Sequence, residues 1–265
     1  MATNSQPPTR DTSGTTSDQP FGPFADCGNG NPAFYHQFFD DFDESFGTPA
    51  TPTGLWVVTP TPGTSAVHLA GDGGLALLTT AATAGSEAEI QLPAASFTTQ
   101  SPQKMFFETR MQVATLTTNA WVVGLMNTNV TPFTGGITDG IYFSKAVGTT
   151  TINLIVVHGS TVSATVPVPV GAITNYAAAT NFDLAWYLDR HGDVRVFANN
   201  QLVGWIPQSG TGTLSPPTAG LGPCARATAP VLPTANLNVT AAVYNGVTAS
   251  ATTMTVDFIC VSKER

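Results

Sequence analysis

The chain has 265 residues, 10% of them charged and 42% hydrophobic, and carries a net charge of -8 from 9 Lys plus Arg against 17 Asp plus Glu. That length suits one large all-β domain burying about three quarters of its unfolded surface, and the hydrophobic share excludes general disorder. The basic residues stand singly, which excludes a nucleic-acid partner or an anionic membrane surface, because phosphate binding needs a concentrated basic footprint.

No apolar run approaches the roughly 20 residues that span a bilayer. The start, MATNSQPPTR, has no charged region followed by an apolar one, so no secretory signal is expected. Residues 1–33 are rich in Thr, Ser, Pro, Gly and Asp and show neither helical nor strand period. Alone they cannot bury enough apolar surface to offset their ordering entropy. They read as a flexible or extended arm, either a plain tail or a segment that orders on a partner, with Phe21 and Phe24 as its anchors.

Next comes AFYHQFFDDFDESFG and then LWVV. The acidic group Asp40, Asp41, Asp43 and Glu44 could offer oxygens to a hard cation, but it lacks the loop spacing and glycine of a dedicated calcium loop. The interleaved phenylalanines suit a strand with a solvated polar edge. SAVHLAG, GLALLTT and EAEIQLP then read as short strands between turns. GDGG is a turn and not a phosphate loop, since no helix follows it. His68, alone in a strand, is expected to be structural.

From Lys104 to Ser144 three strands follow one another: KMFFETRMQV, NAWVVGLMNTN and DGIYFS. In the first, Phe107, Thr109, Met111 and Val113 share one face, and Phe106, Glu108, Arg110 and Gln112 the other, the two-residue period of a strand. TTTINLIVVHG and STVSATVPVPV should pair across Gly159. TNFDLAWYLD alternates Phe182, Leu184, Trp186 and Leu188 inward against Asp183, Ala185, Tyr187 and Asp189. A turn at RHGD leads to VRVFA, and Asn199-Asn200, which tolerate positive φ, turn into QLVGWI. Residues 207–234 form a long Pro/Gly/Thr/Ala-rich excursion, of the kind that is functional or meets a partner. NLNVTAAVYNG and TMTVDFICV finish the sheets. Roughly a dozen strands suit a two-sheet antiparallel sandwich. Cys27, Cys224 and Cys260 form neither a disulfide framework nor a zinc spacing. Cys260, alternating with Met254, Val256 and Phe258, should be a small buried hydrophobe.

FFETRMQV, WVVGLMN and DGIYFS together resemble the central strands of the concanavalin A-like lectin and glucanase superfamily. FFDDFDESFG before LW resembles its first strand, TMTVDFICV its closing strand, and WYLDRHGDVRVFANNQLVGW one of its strand, turn and hairpin stretches. The resemblance covers residues 34–265 and implies an all-β jelly-roll sandwich behind the N-terminal arm. By the same resemblance a structural calcium would lie near the first and last strands, at Asp41 and Asp257; no other cofactor is implied. Glucanases of this superfamily set paired carboxylates on the concave face from an E-x-D-x-E strand. The matching strand here is TDGIYFSK, where Asp139 is alone and Tyr142 and Ser144 occupy carboxylate positions. No G-x-S-x-G, H-E-x-x-H or C-x-x-C occurs, and the near neighbours His191 and Asp193, or His158 and Ser160, sit in turns. A non-enzymatic protein is expected.

Two binding roles follow. In one, exposed aromatics of the concave sheet, Trp121 or Tyr142, stack on a host or surface glycan. In the favoured one, the Thr/Ala/Gly/Val-rich, cysteine-poor texture with a flexible arm and a lectin-like sandwich resembles virion proteins of tailed bacteriophages. That resemblance implies a capsid decoration (cement) protein or head fibre on the capsid exterior, made in the host cytoplasm. Its partners would be the major capsid protein and copies of itself, as a dimer or trimer.

Overall fold

The computed structural model describes residues 35–43, 55–60, 63–70, 73–99, 103–128, 131–169, 177–206, 231–246 and 250–265. Phe21, Phe24, Cys27, Cys224 and most of the 207–234 excursion lie outside them.

In chain order the strands are β1 (Tyr35–Asp40), β2 (Val57–Pro60), β3 (Ser65–Leu69), β4 (Leu75–Thr79), β5 (Glu87–Gln91), β6 (Met105–Val113), β7 (Ala120–Met126), β8 (Gly140–Lys145), β9 (Ile152–His158), β10 (Thr161–Val168), β11 (Phe182–Leu188), β12 (Val194–Ala198), β13 (Gln201–Ile206), β14 (Asn238–Tyr244) and β15 (Thr253–Glu264). They form two antiparallel sheets. The eight-stranded sheet runs β13-β12-β11-β6-β15-β4-β3, with β1 also paired to β15, and the seven-stranded sheet runs β10-β9-β8-β7-β14-β5-β2.

Alternation explains the core. Phe107, Met111 and Val113 of β6 and Phe182, Leu184, Trp186 and Leu188 of β11 point inward from one sheet, meeting Trp121, Val123 and Leu125 of β7 and Ile141 and Phe143 of β8 from the other. The contact is aromatic at its centre: Trp121 lies 6.1 Å from Phe182, and Phe107 stacks on Trp186 at 5.9 Å. Burying each such ring contributes on the order of 2–3 kcal/mol. The Asn199-Asn200 turn is present, with φ of 44° and 67°, and closes β12 onto β13. β9 and β10 pair across Gly159 as expected.

The closing strand departs from expectation. A bulge between Val256 and Phe258 shifts the β15 register against β6. Met254 and Val256 face the core, but beyond the bulge Ile259 and Val261 take over that side. Cys260 is therefore not a core residue alternating with Met254 and Val256; it sits half-buried on the outer face, beside Phe106, Tyr187 and Tyr35. One extra residue inverts every later side chain in a strand of period two.

Candidate functional site

The acidic residues that matter are on β5, not on the strand the resemblance pointed to. In EAEIQ, Ala88 and Ile90 fill the core, so Glu87, Glu89 and Gln91 turn to the outer face of the seven-stranded sheet. Their spacing, i, i+2 and i+4, is that of an E-x-D-x-E strand with glutamine in the third place. Register aligns them with the centre of the sheet: Gln91 with Thr240, Gly124 and Tyr142, and Glu89 with Ala242, Val122 and Ser144. The strand of Tyr142 and Ser144 shares this face but supplies no carboxylate. The pattern E-x-E was legible in the sequence; which sheet face it joined was not.

The face is closed by its own chain. Asn127 Oδ1 accepts from the Thr138 and Asp139 amides at 2.9 and 3.2 Å, clasping the loop between β7 and β8 at its base. At the loop's far end the Phe133 amide donates to Glu87 Oε1 at 3.3 Å, and its ring stacks on Tyr244 at 5.2 Å. Phe133, Ile137 and Ile155 pack onto Val122, Met126, Tyr142, Val157 and Ala242. Gln91 Nε2 donates to Thr240 Oγ1 at 2.6 Å. Glu87 is left 5% exposed, Glu89 1% and Gln91 4%.

Burial governs the charge on this pair. It pushes the Glu87 carboxyl up to about 7, partly offset by the Phe133 amide. It pushes Glu89 up to about 8, with the Glu87 charge adding to the rise and the Thr59 hydroxyl across β2 opposing it. Glu89 therefore holds its proton at neutral pH. Residues two apart on a strand are roughly 7 Å apart along the backbone, and both carboxyls are nearly fully buried. Burial thus favours the neutral form of both carboxyls.

The other expected site residues fall elsewhere. Trp121 is fully buried between the sheets, so it has no ring face for a sugar; alternation sent it inward. Tyr142 does lie on the outer face, but it is 7% exposed beneath the same apolar cluster. Asp257 occupies the β15 bulge, where its carboxylate lies 3.7 Å from the Arg110 guanidinium, which also binds Asp183 at 2.8 Å. Asp41 follows β1. Its neighbour Asp40 accepts from the Phe42 amide at 2.8 Å and from the Trp56 indole, so Asp40 holds the chain that follows β1 against Trp56. A guanidinium beside Asp257 does not fit a calcium site, and among the described residues no group of three His, Cys, Asp or Glu side chains could hold a metal ion. His158 pairs with Asp139 at 3.2 Å, not with Ser160.

No protein-family model and no curated protein matches the sequence. Solved structures do match over most of the chain. An endo-1,3-beta-glucanase from Streptomyces sioyaensis is 17% identical, with a TM-score of 0.54 over 88% of this chain and 98% of that one. A beta-1,3-1,4-glucanase (lichenase) derived from a mouse hindgut metagenome is 11% identical, with a TM-score of 0.54 over 85% and 98%. Arcelin-5, a lectin-like defense protein from Phaseolus vulgaris, is 11% identical, with a TM-score of 0.51 over 87% and 98%. With two antiparallel sheets and this strand arrangement, the chain has the concanavalin A-like jelly-roll fold that lectins and β-glucanases share.

Proposed function

We propose that the protein is a non-enzymatic structural protein of a tailed-bacteriophage virion, a decoration or head-fibre protein that attaches to the capsid exterior through residues 1–33 and meets copies of itself along its sheet edges. The supporting observation is where the described residues leave large apolar side chains in water. Phe39, Leu55, Val57, Val67 and Leu69 are exposed on or beside β1, β2 and β3, along one lateral edge of the sandwich. Val162, Leu202 and Val231 are exposed on or beside β10 and β13, at the opposite edge. The edge strands SAVHL, VVTP, QLVGWI and TVSATVPV contain no Asp, Glu, Lys or Arg. Edge strands are normally guarded by charge because their unpaired backbone groups invite pairing. Copies of a chain with a net charge of -8 repel except where they are uncharged, so the edges are where they approach.

The test has two arms. Deleting residues 1–33 should leave a folded sandwich that no longer occupies virions; unchanged occupancy would remove the arm from the proposal. Val67→Lys with Leu69→Lys should abolish concentration-dependent self-association in sedimentation while far-UV circular dichroism is unchanged. A wild-type chain that is monomeric at every concentration would sink the edge contact.

A second reading, a glycan-binding module, is favoured by the Glu87, Glu89 and Gln91 stripe on the outer face of a lectin-like sheet. It requires the Phe133 loop to lift. Binding on a broad glycan array that strengthens in Phe133→Ala would support it, and an array blank for both proteins would remove it.

A further inference from the structure

Among the described residues a cleft of about 240 Å³ opens at one end of the eight-stranded sheet, where β1 begins and β15 ends, lined by His36, Gln103, Lys263, Glu264 and Arg265. Its charge is unlike that of the protein. Of the nine Lys and Arg residues of this acidic chain, Lys104, Arg190, Lys263 and Arg265 meet here, making this the place where the sequence's scattered cations converge. Glu264, the one Asp or Glu among the described residues lining the cleft, is already engaged: both its oxygens accept from the Arg190 guanidinium, the Nε contact measuring 2.9 Å, and Oε2 also accepts the Lys104 amide at 3.3 Å. The Glu264 carboxyl is accordingly held below its ordinary value by Arg190. Among the described residues the Glu264 side chain is thus committed to Arg190 and not to Lys263 or Arg265.

The walls are fixed. The His36 ring stacks on Phe97 at 4.8 Å, and β1 pairs His36 opposite Lys263, so imidazole and ammonium lie side by side at the mouth. Arg265 Nε donates to the Tyr35 carbonyl at 3.5 Å, which directs the guanidinium back toward the same strand end. Burial, Arg265 and Lys263 all favour neutral His36, and burial lowers Lys263. The charged groups that act on the imidazole are Lys263 of β15 and Arg265 just after it; Gln103 and Glu264 complete the lining, with Lys104 and Arg190 held against Glu264.

We propose that this cleft binds a phosphate group, with Lys263 and Arg265 supplying charge, the Gln103 amide a neutral donor, and His36 taking up a proton as the anion enters. Charge-assisted donors of two geometries, a guanidinium fork and an ammonium point, suit a phosphate's several oxygens. The phosphate could be free or could be carried on a saccharide. His36 lies on β1, but none of the exposed apolar edge side chains lines the cleft, so the site is tested separately from the assembly reading.

The experiment is a titration at constant ionic strength, following the His36 ring and Gln103 amide resonances by NMR with inorganic phosphate, glucose 6-phosphate and glucose as separate probes. Saturable shifts with phosphate, an upward move of the His36 titration midpoint in its presence, and about tenfold weaker binding in Lys263→Met are expected. Stronger binding of glucose 6-phosphate than of phosphate supports a phosphorylated saccharide; equal binding supports the free anion. Shifts that do not saturate, or that persist unchanged in Lys263→Met and Arg265→Gln while both variants keep the wild-type melting temperature, would overturn the site.

Discussion

Glu89 shows how a single residue's surroundings decide its chemistry. On an open strand face it would be an ordinary charged glutamate; 1% exposed and beside Glu87, it is pushed toward the neutral form. The sign of the consequence follows from the shift. Its folded value, about 8, lies above the ordinary 4.5, so its contribution to stability is fully present below about pH 4.5 and is lost as pH rises through about 8. Glu87, at about 7, adds the same trend in a lower window. Glu89→Gln keeps the shape and removes the ionisation. It should therefore gain stability relative to wild type between pH 5 and pH 9, on the order of a few kcal/mol, in urea denaturation at each pH. Equal pH dependence in the two proteins would mean that the carboxyl is not buried as described. Lys145 is the counterpart on the core side: it is fully buried, and its ammonium donates to the Asn119 side-chain oxygen at 2.9 Å and to the Asn119 carbonyl. Burial lowers it to about 8.

At the scale of elements, the outer face of the seven-stranded sheet depends on a close approach of β7 and β8. Gly124, at a φ of 153°, sits opposite Tyr142, and a Cβ added there would lie 2.6 Å from the Tyr142 Cα and 2.7 Å from the Ile141 carbonyl oxygen. Both are backbone atoms, which cannot swing away. Gly124→Ala should therefore force the two strands apart, at a cost of about 2–3 kcal/mol, lowering the melting temperature by roughly 5–10 °C. Gly148→Ala, whose added Cβ meets nothing within 4 Å, is the control for positive φ alone and should cost about half as much. If the two variants melt together, crowding is not what Gly124 relieves. The same β7–β8 unit carries the Asn127 clasp, so the lid over Glu87 and the sheet beneath it are one construction. Loosening the strands should loosen the lid.

At the scale of the whole molecule, the sandwich covers its faces and leaves the edge strands β2, β3, β10 and β13 without charged residues. One outer face is covered by the Phe133 loop, and the other carries the buried cluster of Phe106, Ala185, Tyr187 and Phe197. The edges differ in kind: one gathers β1, β2 and β3, the other β10 and β13, where Gly204 lets the two sheets meet so closely that an added Cβ would lie 2.3 Å from Val166 Cγ1. Contacts between unlike edges are heterologous and build rings or open chains, whereas like edges build dimers. A charge at one edge only, Val162→Lys, should therefore block growth beyond a dimer if β3 edges pair with each other, and should block all association if unlike edges meet. Sedimentation distinguishes the two, and unaltered association in both Val162→Lys and Val67→Lys would exclude the edges altogether.

The period-two pattern determined the fold class, most strand positions, the inward faces of β6 and β11 and the Asn199-Asn200 hairpin, because strand alternation and turn chemistry are local properties of adjacent residues. Tertiary structure decided what adjacency does not encode. It placed Cys260 outside the core through a one-residue bulge, turned Trp121 inward and set Arg110 beside Asp257. It also brought the Phe133 loop onto Glu87 and buried Glu89 beside it. Register, bulges and loop cover depend on partners far apart in sequence, and only folding brings those partners within reach of one another.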